Sequence, residues 1–298
     1  MSSIQRKSVL YILAAAFLWG CSGVFFKELY AYGFAPMQVV FLRTSFATVM
    51  LGLWLLFKDR DAFRVRLRDF WCFLGTGLVS LLLFNWCFYE AVNRNGLAVS
   101  AVLLYTAPAF VTALSAWLFR ERLNLLRWGI LALVLFGCML VSGIMGVVDI
   151  SITGVFFGLG SGFGYALYSI FGRYALNREY KPQTIAFYTF ALCAAGSAVL
   201  ALFSHGFDIP VSAFDLRMLM FALALGSLGC LFPYWFYTKG LVNVTGAQAS
   251  MTATLEPVVA AVFGVLIYYE TLTVGQGFGA VIILGCILLL SVTSKSVH

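Results

Sequence analysis

Charge is what this chain has least of. Only 10% of its 298 residues are Asp, Glu, Lys or Arg, against roughly 25% in a soluble globular domain. A soluble fold of this size would lack the polar side chain to cover itself. Histidine is nearly absent as well, with His205 and His298 the two in the chain. No H-E-x-x-H, C-x-x-C, nucleophile elbow or phosphate loop occurs, so an enzyme, a metal and a cofactor find no support. The seven cysteines (Cys21, Cys72, Cys87, Cys138, Cys193, Cys230 and Cys286) are odd in number and all fall within apolar runs. They read as small packing residues.

What the chain has is apolar length: 62% of it is hydrophobic. A helical span needs about 20 apolar residues to cross a bilayer core, and ten runs meet that need. They are Val9–Phe26, Ala35–Phe57, Phe70–Tyr89, Leu97–Phe119, Leu125–Val147, Ile152–Tyr174, Gln183–Ser204, Met218–Tyr237, Ala247–Tyr268 and Leu272–Val292. The expected fold class is an all-α polytopic membrane protein of ten transmembrane helices. Arg6 and Lys7 before Ala14–Ala16 imitate a secretory signal, but the run continues through Phe17, Trp19 and Phe26 and reads as an uncleaved span. Trp54, Trp71, Trp117 and Trp128 stand near span ends, as interfacial anchors do.

Lysine and arginine are retained on the cytoplasmic side. With the N-terminus inside, the cytoplasmic segments collect fifteen of the nineteen basic residues, including Lys58 to Arg68, Arg120 to Arg127 and Arg173 to Lys181. Both termini are therefore expected in the cytoplasm. The excess of seven positive charges is spread in short caps, not gathered as a nucleic-acid surface.

The chain also repeats itself. Pro108 to Glu121 and Pro257 to Glu270 each place a proline in an apolar run and a glutamate thirteen residues later, followed by Leu123 or Leu272. Upstream, Glu90, Asn93 and Gly96 correspond in order to Lys239, Asn243 and Gly246. Two domains follow, residues 1–147 and 148–298, each with five spans. An odd number inverts the second copy, the architecture of secondary transporters with a midplane substrate path.

Four segments, "LAAAFLWGCSGVFFKEL", "FLRTSFA", "APAFVTALSAWLFRERL" and "LEPVVAAVFGVLIYYETL", resemble the EamA branch of the drug/metabolite transporter superfamily. The resemblance covers the whole chain. It implies ten helices in two inverted five-helix repeats and export of amino acids or related metabolites across the bacterial inner membrane. Glu256 before Pro257 is similar to the pattern of threonine/homoserine-type exporters. The Trp19-Gly20 pair returns as Phe163-Gly164, without the indole donor.

The candidate substrate-binding residues are Trp19, Arg43, Asn85, Tyr105, Tyr165, Tyr168 and Glu256. Ionisable groups within hydrocarbon are costly and point to function by default. Glu256 lies near the middle of its span, roughly 15 Å from either end. It is the proton-coupling candidate, or else a neutral acid tying helices together. Pro257 lacks an N–H, which frees the carbonyl of Ala253 for such a tie; Pro108 and Pro257 are the two helix breaks. Arg43 either receives a substrate carboxylate or pairs with Glu28 or Glu90. The aromatics, with Tyr188 and Tyr234 beside those named, carry hydroxyl or indole donors that lipid cannot satisfy. Gly158, Gly160, Gly162 and Gly164, like Gly275, Gly277 and Gly279, mark close helix approach. The expected partners are a small-molecule substrate, a proton and the lipid bilayer, with the chain a monomer or homodimer. A drug or dye exporter of the same fold is the alternative. A membrane-embedded enzyme or a channel stands further off, since no ring of like groups or carbonyl filter is present. Sugar-phosphate carriage would call for more intramembrane cations than Arg43.

Overall fold

The computed structural model describes residues 3–120, 125–144, 150–204, 215–269 and 271–293, which are helical with no strand among them. In chain order the segments are α1 (Ser3–Ala31), α2 (Pro36–Lys58), α3 (Leu67–Leu104), α4 (Ala107–Phe119), α5 (Leu125–Val141), α6 (Ile152–Leu176), α7 (Pro182–Ser204), α8 (Leu216–Leu241), α9 (Gly246–Tyr268) and α10 (Val274–Thr293). Eight of them are long and apolar enough to cross a bilayer; α4 and α5 are apolar but shorter. Trp54, Trp71, Trp117 and Trp128 are all exposed on the outside of the bundle.

Two expected boundaries need correction. The runs Phe70–Tyr89 and Leu97–Phe119 were expected to be separate spans, yet helix continues through Asn95 and changes direction at Gly96 (φ 72°, ψ 172°). Glycine adopts such a positive φ without a Cβ clash, so the bend needs no loop. The second run is then interrupted at Tyr105–Thr106, before α4 begins. The run Leu125–Val147 forms helix only to Val141, and residues 145–149 lie outside the described chain. So do Glu121, Glu270, His205 and His298.

The backbone keeps a shared itinerary at a fixed offset. A π-helical stretch ends at Leu82 and another at Leu231. A helix breaks at Tyr105 (φ −72°, ψ 5°) and another at Thr254 (φ −67°, ψ 3°). A left-handed residue closes α4 at Arg120 and α9 at Tyr269. Each pair is separated by 149 residues. The breaks lie three residues before Pro108 and Pro257, not at them. Proline fits a first helical turn but cannot sit within one, so the helix restarts just ahead of the ring. There the carbonyls of Leu103 and Met251 accept the backbone N–H groups of Thr106 and Thr254 at 3.2 and 3.4 Å, and the hydroxyls of the same two residues donate to them at 2.6 Å.

Packing follows the same correspondence. α1 lies against α8 and α9, while α6 lies against α3 and α4; α2 pairs with α7, α4 with α9 and α5 with α10. Glycines let backbones touch at these crossings. A Cβ on Gly20 would stand 2.8 Å from the Glu256 carbonyl oxygen, one on Gly164 would stand 2.9 Å from the Phe84 nitrogen, and one on Gly279 would stand 2.7 Å from the Gly137 oxygen.

Candidate functional site

Two spaces open where α1, α3, α6 and α8 meet the broken parts of α3–α4 and α9. The first, about 10 Å³ and so roughly the size of one water, is walled by Trp19, Leu81, Phe84, Tyr165, Tyr168, Tyr234 and Tyr237. The second, also about 10 Å³, is walled by Tyr105, Pro108, Tyr165, Ser250, Thr254 and Glu256. Tyr165 is in the wall of both, so it stands between two neighbouring spaces along α6.

Gly20 sets the position of Trp19 by bringing α1 onto the Glu256 carbonyl oxygen and the Val259 side chain. The indole then meets Tyr234 edge-on at 5.0 Å, Tyr237 at 5.5 Å and Tyr165 at 6.0 Å between ring centroids. Tyr168 meets Tyr234 edge-on at 5.0 Å. Such edge-to-face pairs contribute about 0.5–1.5 kcal/mol each beyond area burial. They hold the aromatic wall as a rigid unit.

The hydroxyls in this wall fall into two groups. The Thr238 hydroxyl donates its proton to the Tyr234 carbonyl at 2.7 Å, so the Tyr168 hydroxyl, 2.7 Å away, must donate to Thr238. Tyr237 and Ser169 satisfy one another at 2.8 Å. The hydroxyls of Tyr105, Tyr165 and Tyr234 have no hydrogen bond among the described residues. Tyr168 is thus a scaffold residue, while the other three leave their hydroxyls uncommitted in the walls of these spaces.

Glu256 faces Tyr105 and Tyr165. Its carboxyl makes no ion pair or hydrogen bond among the described residues. It therefore does not tie to the Ala253 carbonyl; the side-chain hydrogen bond at this break runs from Thr254 to the Met251 carbonyl.

Arg43 occupies a separate layer. It is 5% exposed, and its Nη2 donates to Asn85 Oδ1 at 2.7 Å. Asn85 Nδ2 donates in turn to the Leu81 carbonyl at 2.6 Å, which fixes the amide's orientation. Neither expected carboxylate reaches Arg43: Glu28 is bound by Arg217 at 3.0 Å and Glu90 by Arg94. Beyond this layer lies a cleft of about 270 Å³, lined by Pro36, Met37, Trp86, Tyr89, Glu90 and Leu200.

Of the residues expected at the site, Trp19, Tyr105, Tyr165, Tyr168 and Glu256 come together, and Arg43 and Asn85 meet each other one layer away. Tyr188 does not join them; its hydroxyl binds the Phe63 carbonyl near the loop that follows α2. The sequence reading missed Tyr237, Thr238 and Ser169. The i, i+3, i+4 spacing of Tyr234, Tyr237 and Thr238 on one helical face was the available signal.

The sequence profile of the EamA-like transporter family matches residues 6–143 and again residues 152–292. The chain belongs to the EamA-like transporter family. Among its relatives in this family is an uncharacterized transporter of Archaeoglobus fulgidus, 28% identical over 93% of this chain and 94% of its own length. The transporter YwfM of Bacillus subtilis is 24% identical over 96% and 94%. The threonine/homoserine exporter RhtA of Escherichia coli K12 is 27% identical over 68% of this chain and 66% of its own. One crystal structure superposes with a TM-score of 0.81 over 97% of this chain and 99% of its own at 16% identity, so the fold is shared.

Proposed function

We propose that this protein is an alternating-access exporter of amino acids or closely related metabolites across the bacterial inner membrane, with both termini cytoplasmic. The observation that carries the reading is the aromatic lining, shared through Tyr165, of two adjoining spaces beside the broken helices. They are enclosed by α1, α3 and α4 from one side of the sequence and by α6, α8 and α9 from the other. Broken helices beside a central site are the device by which inverted repeats bind a solute near the midplane. The 149-residue offset, the exchanged packing of α1 and α6 and the twofold profile match support ten spans in two inverted repeats, residues 1–147 and 148–298. RhtA, by its name, exports threonine and homoserine, which favours amino acids as the substrate class.

Trp19, Tyr105, Tyr165 and Tyr234 would contact the solute, with apolar faces for its body and hydroxyl or indole donors for its polar end. Glu256, unpaired beside those spaces, is the group that would exchange a proton during the cycle. The aromatic walls equally suit a bulky amphipathic drug, the second reading.

Purified protein in liposomes tests both. Loaded with single proteinogenic amino acids or homoserine, the vesicles should exchange labelled solute and accumulate it when a pH gradient is imposed. Glu256→Gln keeps shape and a donor but cannot titrate, so exchange should persist while gradient-driven accumulation disappears. If the Gln variant still accumulates solute, Glu256 is a structural acid; if dyes and not amino acids move, the substrate class is wrong.

A further inference from the structure

The proposed exporter has a buried guanidinium that nothing in the aromatic lining uses. Arg43 sits roughly 10 Å along α2 from its start, with its ring of neighbours made by Phe26, whose face lies 5.1 Å from the guanidinium carbon, and by Asn85. Tyr30, Tyr234, Cys193 and Cys230 lie within its electrostatic reach, and none of these is an anion at neutral pH. Its Nε is fully buried and donates to nothing, and Nη1 likewise has no acceptor among the described residues. One neutral amide therefore meets a cation that carries five donors.

The position is as informative as the vacant donors. Along α3, Leu81 is in the wall of the aromatic cavity, Asn85 is four residues further, and Tyr89, four further again, is in the wall of the outer cleft. Each step is about 6 Å. The Arg43–Asn85 bond thus lies at a depth between the cleft and the cavity, behind the walls of both.

We infer that Arg43 and Asn85 form a carboxylate-binding site between the cleft and the cavity, so that the transported solute is recognised there by its carboxylate. This rests on the exporter reading and narrows its substrate class. Arginine presents paired N–H groups that match the two oxygens of a carboxylate, and a single buried positive charge is balanced by a single negative one. Asn85 holds Nη2 and leaves the other donors for the ligand.

The test is thermal stabilisation of the purified full-length protein by matched probes. These are proteinogenic amino acids, simple carboxylic acids of the same size, and the carboxamide of each. The carboxylates should stabilise at concentrations at least about tenfold lower than their amides, the usual scale for a charge-assisted pair. Arg43→Gln should erase that preference. In case the Gln variant folds poorly, Asn85→Asp supplies an internal carboxylate to Arg43. It should keep or raise the ligand-free melting temperature while weakening carboxylate probes by about tenfold or more. Amides that match their acids, a carboxylate preference that survives both substitutions, or no stabilisation by any carboxylate would each overturn the site. The two readings fail separately. Amino acids that bind as well as their amides leave the exporter reading standing without this site, whereas simple acids binding in place of amino acids keep the site and correct the substrate class.

Discussion

At the residue scale, two tyrosines three positions apart on α6 differ in what their hydroxyls do. Tyr168 gives its proton to Thr238 inside the wall, while Tyr165 leaves its hydroxyl uncommitted between the two spaces. Tyr168→Phe should therefore lower the melting temperature, with a cost of about 0.5–1.5 kcal/mol for one buried hydrogen bond, and change solute affinity little. Tyr165→Phe and Tyr234→Phe should leave the melting temperature near that of the native protein and weaken solute binding. Equal melting shifts across the three variants would mean that all three hydroxyls serve packing. A sequence reading could name Tyr165 and Tyr168 together because both lie on one helical face. It could not separate them, since the separation depends on Thr238, seventy residues from Tyr168 in the chain and adjacent only after folding.

At the element scale, the breaks in α3–α4 and α9 show how local chemistry replaces a helical hydrogen bond. Pro108 and Pro257 announce the breaks in the sequence; Thr106 and Thr254 complete them by satisfying the Leu103 and Met251 carbonyls. Thr254→Val keeps the branched shape and removes the hydroxyl donor, leaving the Met251 carbonyl with the longer Thr254 N–H bond at 3.4 Å, at a cost of about 0.5–1.5 kcal/mol. Thr254→Ser should recover most of it. Melting curves of the two variants would separate these outcomes. Helix positions were legible because apolar length dictates them. The bend at Gly96 and the π-helical stretches ending at Leu82 and Leu231 were not, because helical sequences carry no compositional mark for a π turn. The pairing of Arg43 with Asn85 was likewise hidden, since a polar residue in a span announces a partner without naming it. A second link joins the loop after α2 to the one after α6. The Lys181 ammonium binds Asp59 at 2.8 Å with Gln183 beside it, and these hydrogen bonds hold the Asp59 carboxyl below its ordinary value. A depressed carboxyl stabilises the fold above its unfolded value and loses that contribution as pH falls through the folded one. Native protein and Asp59→Asn should therefore differ in melting temperature by a constant amount above about pH 5, and converge only as the pH falls below the usual carboxylate range near 4. A difference that vanishes already between pH 7 and 5 would remove this assignment.

At the scale of the whole molecule, ion pairs constrain which loops share a membrane face. Asp59 pairs with Lys181 and Asp69 with Arg178, so the loops after α2 and after α6 lie on one side. Glu28 pairs with Arg217, which puts the end of α1 beside the start of α8. An even number of crossings must separate each pair, so α4 and α5, the two shorter helices, either both cross or both fail to. The lysine and arginine distribution favours both crossing, with the loops after α2, α4 and α6 cytoplasmic. Single cysteines in a background without the native seven decide this. Asp61→Cys and Arg120→Cys should react with an impermeant thiol reagent only after permeabilisation, whereas Ile150→Cys and Leu216→Cys should react in intact cells. Labelling of Arg120→Cys from outside, with Asp61→Cys protected, would mean that the segment from Leu97 to Phe119 turns back within the membrane. The first copy would then hold three crossings while the second, with α9 and α10 both long enough to span, held five. The inverted repeat, and with it the reading of the aromatic spaces as a solute route between two opposed halves, would have to be abandoned.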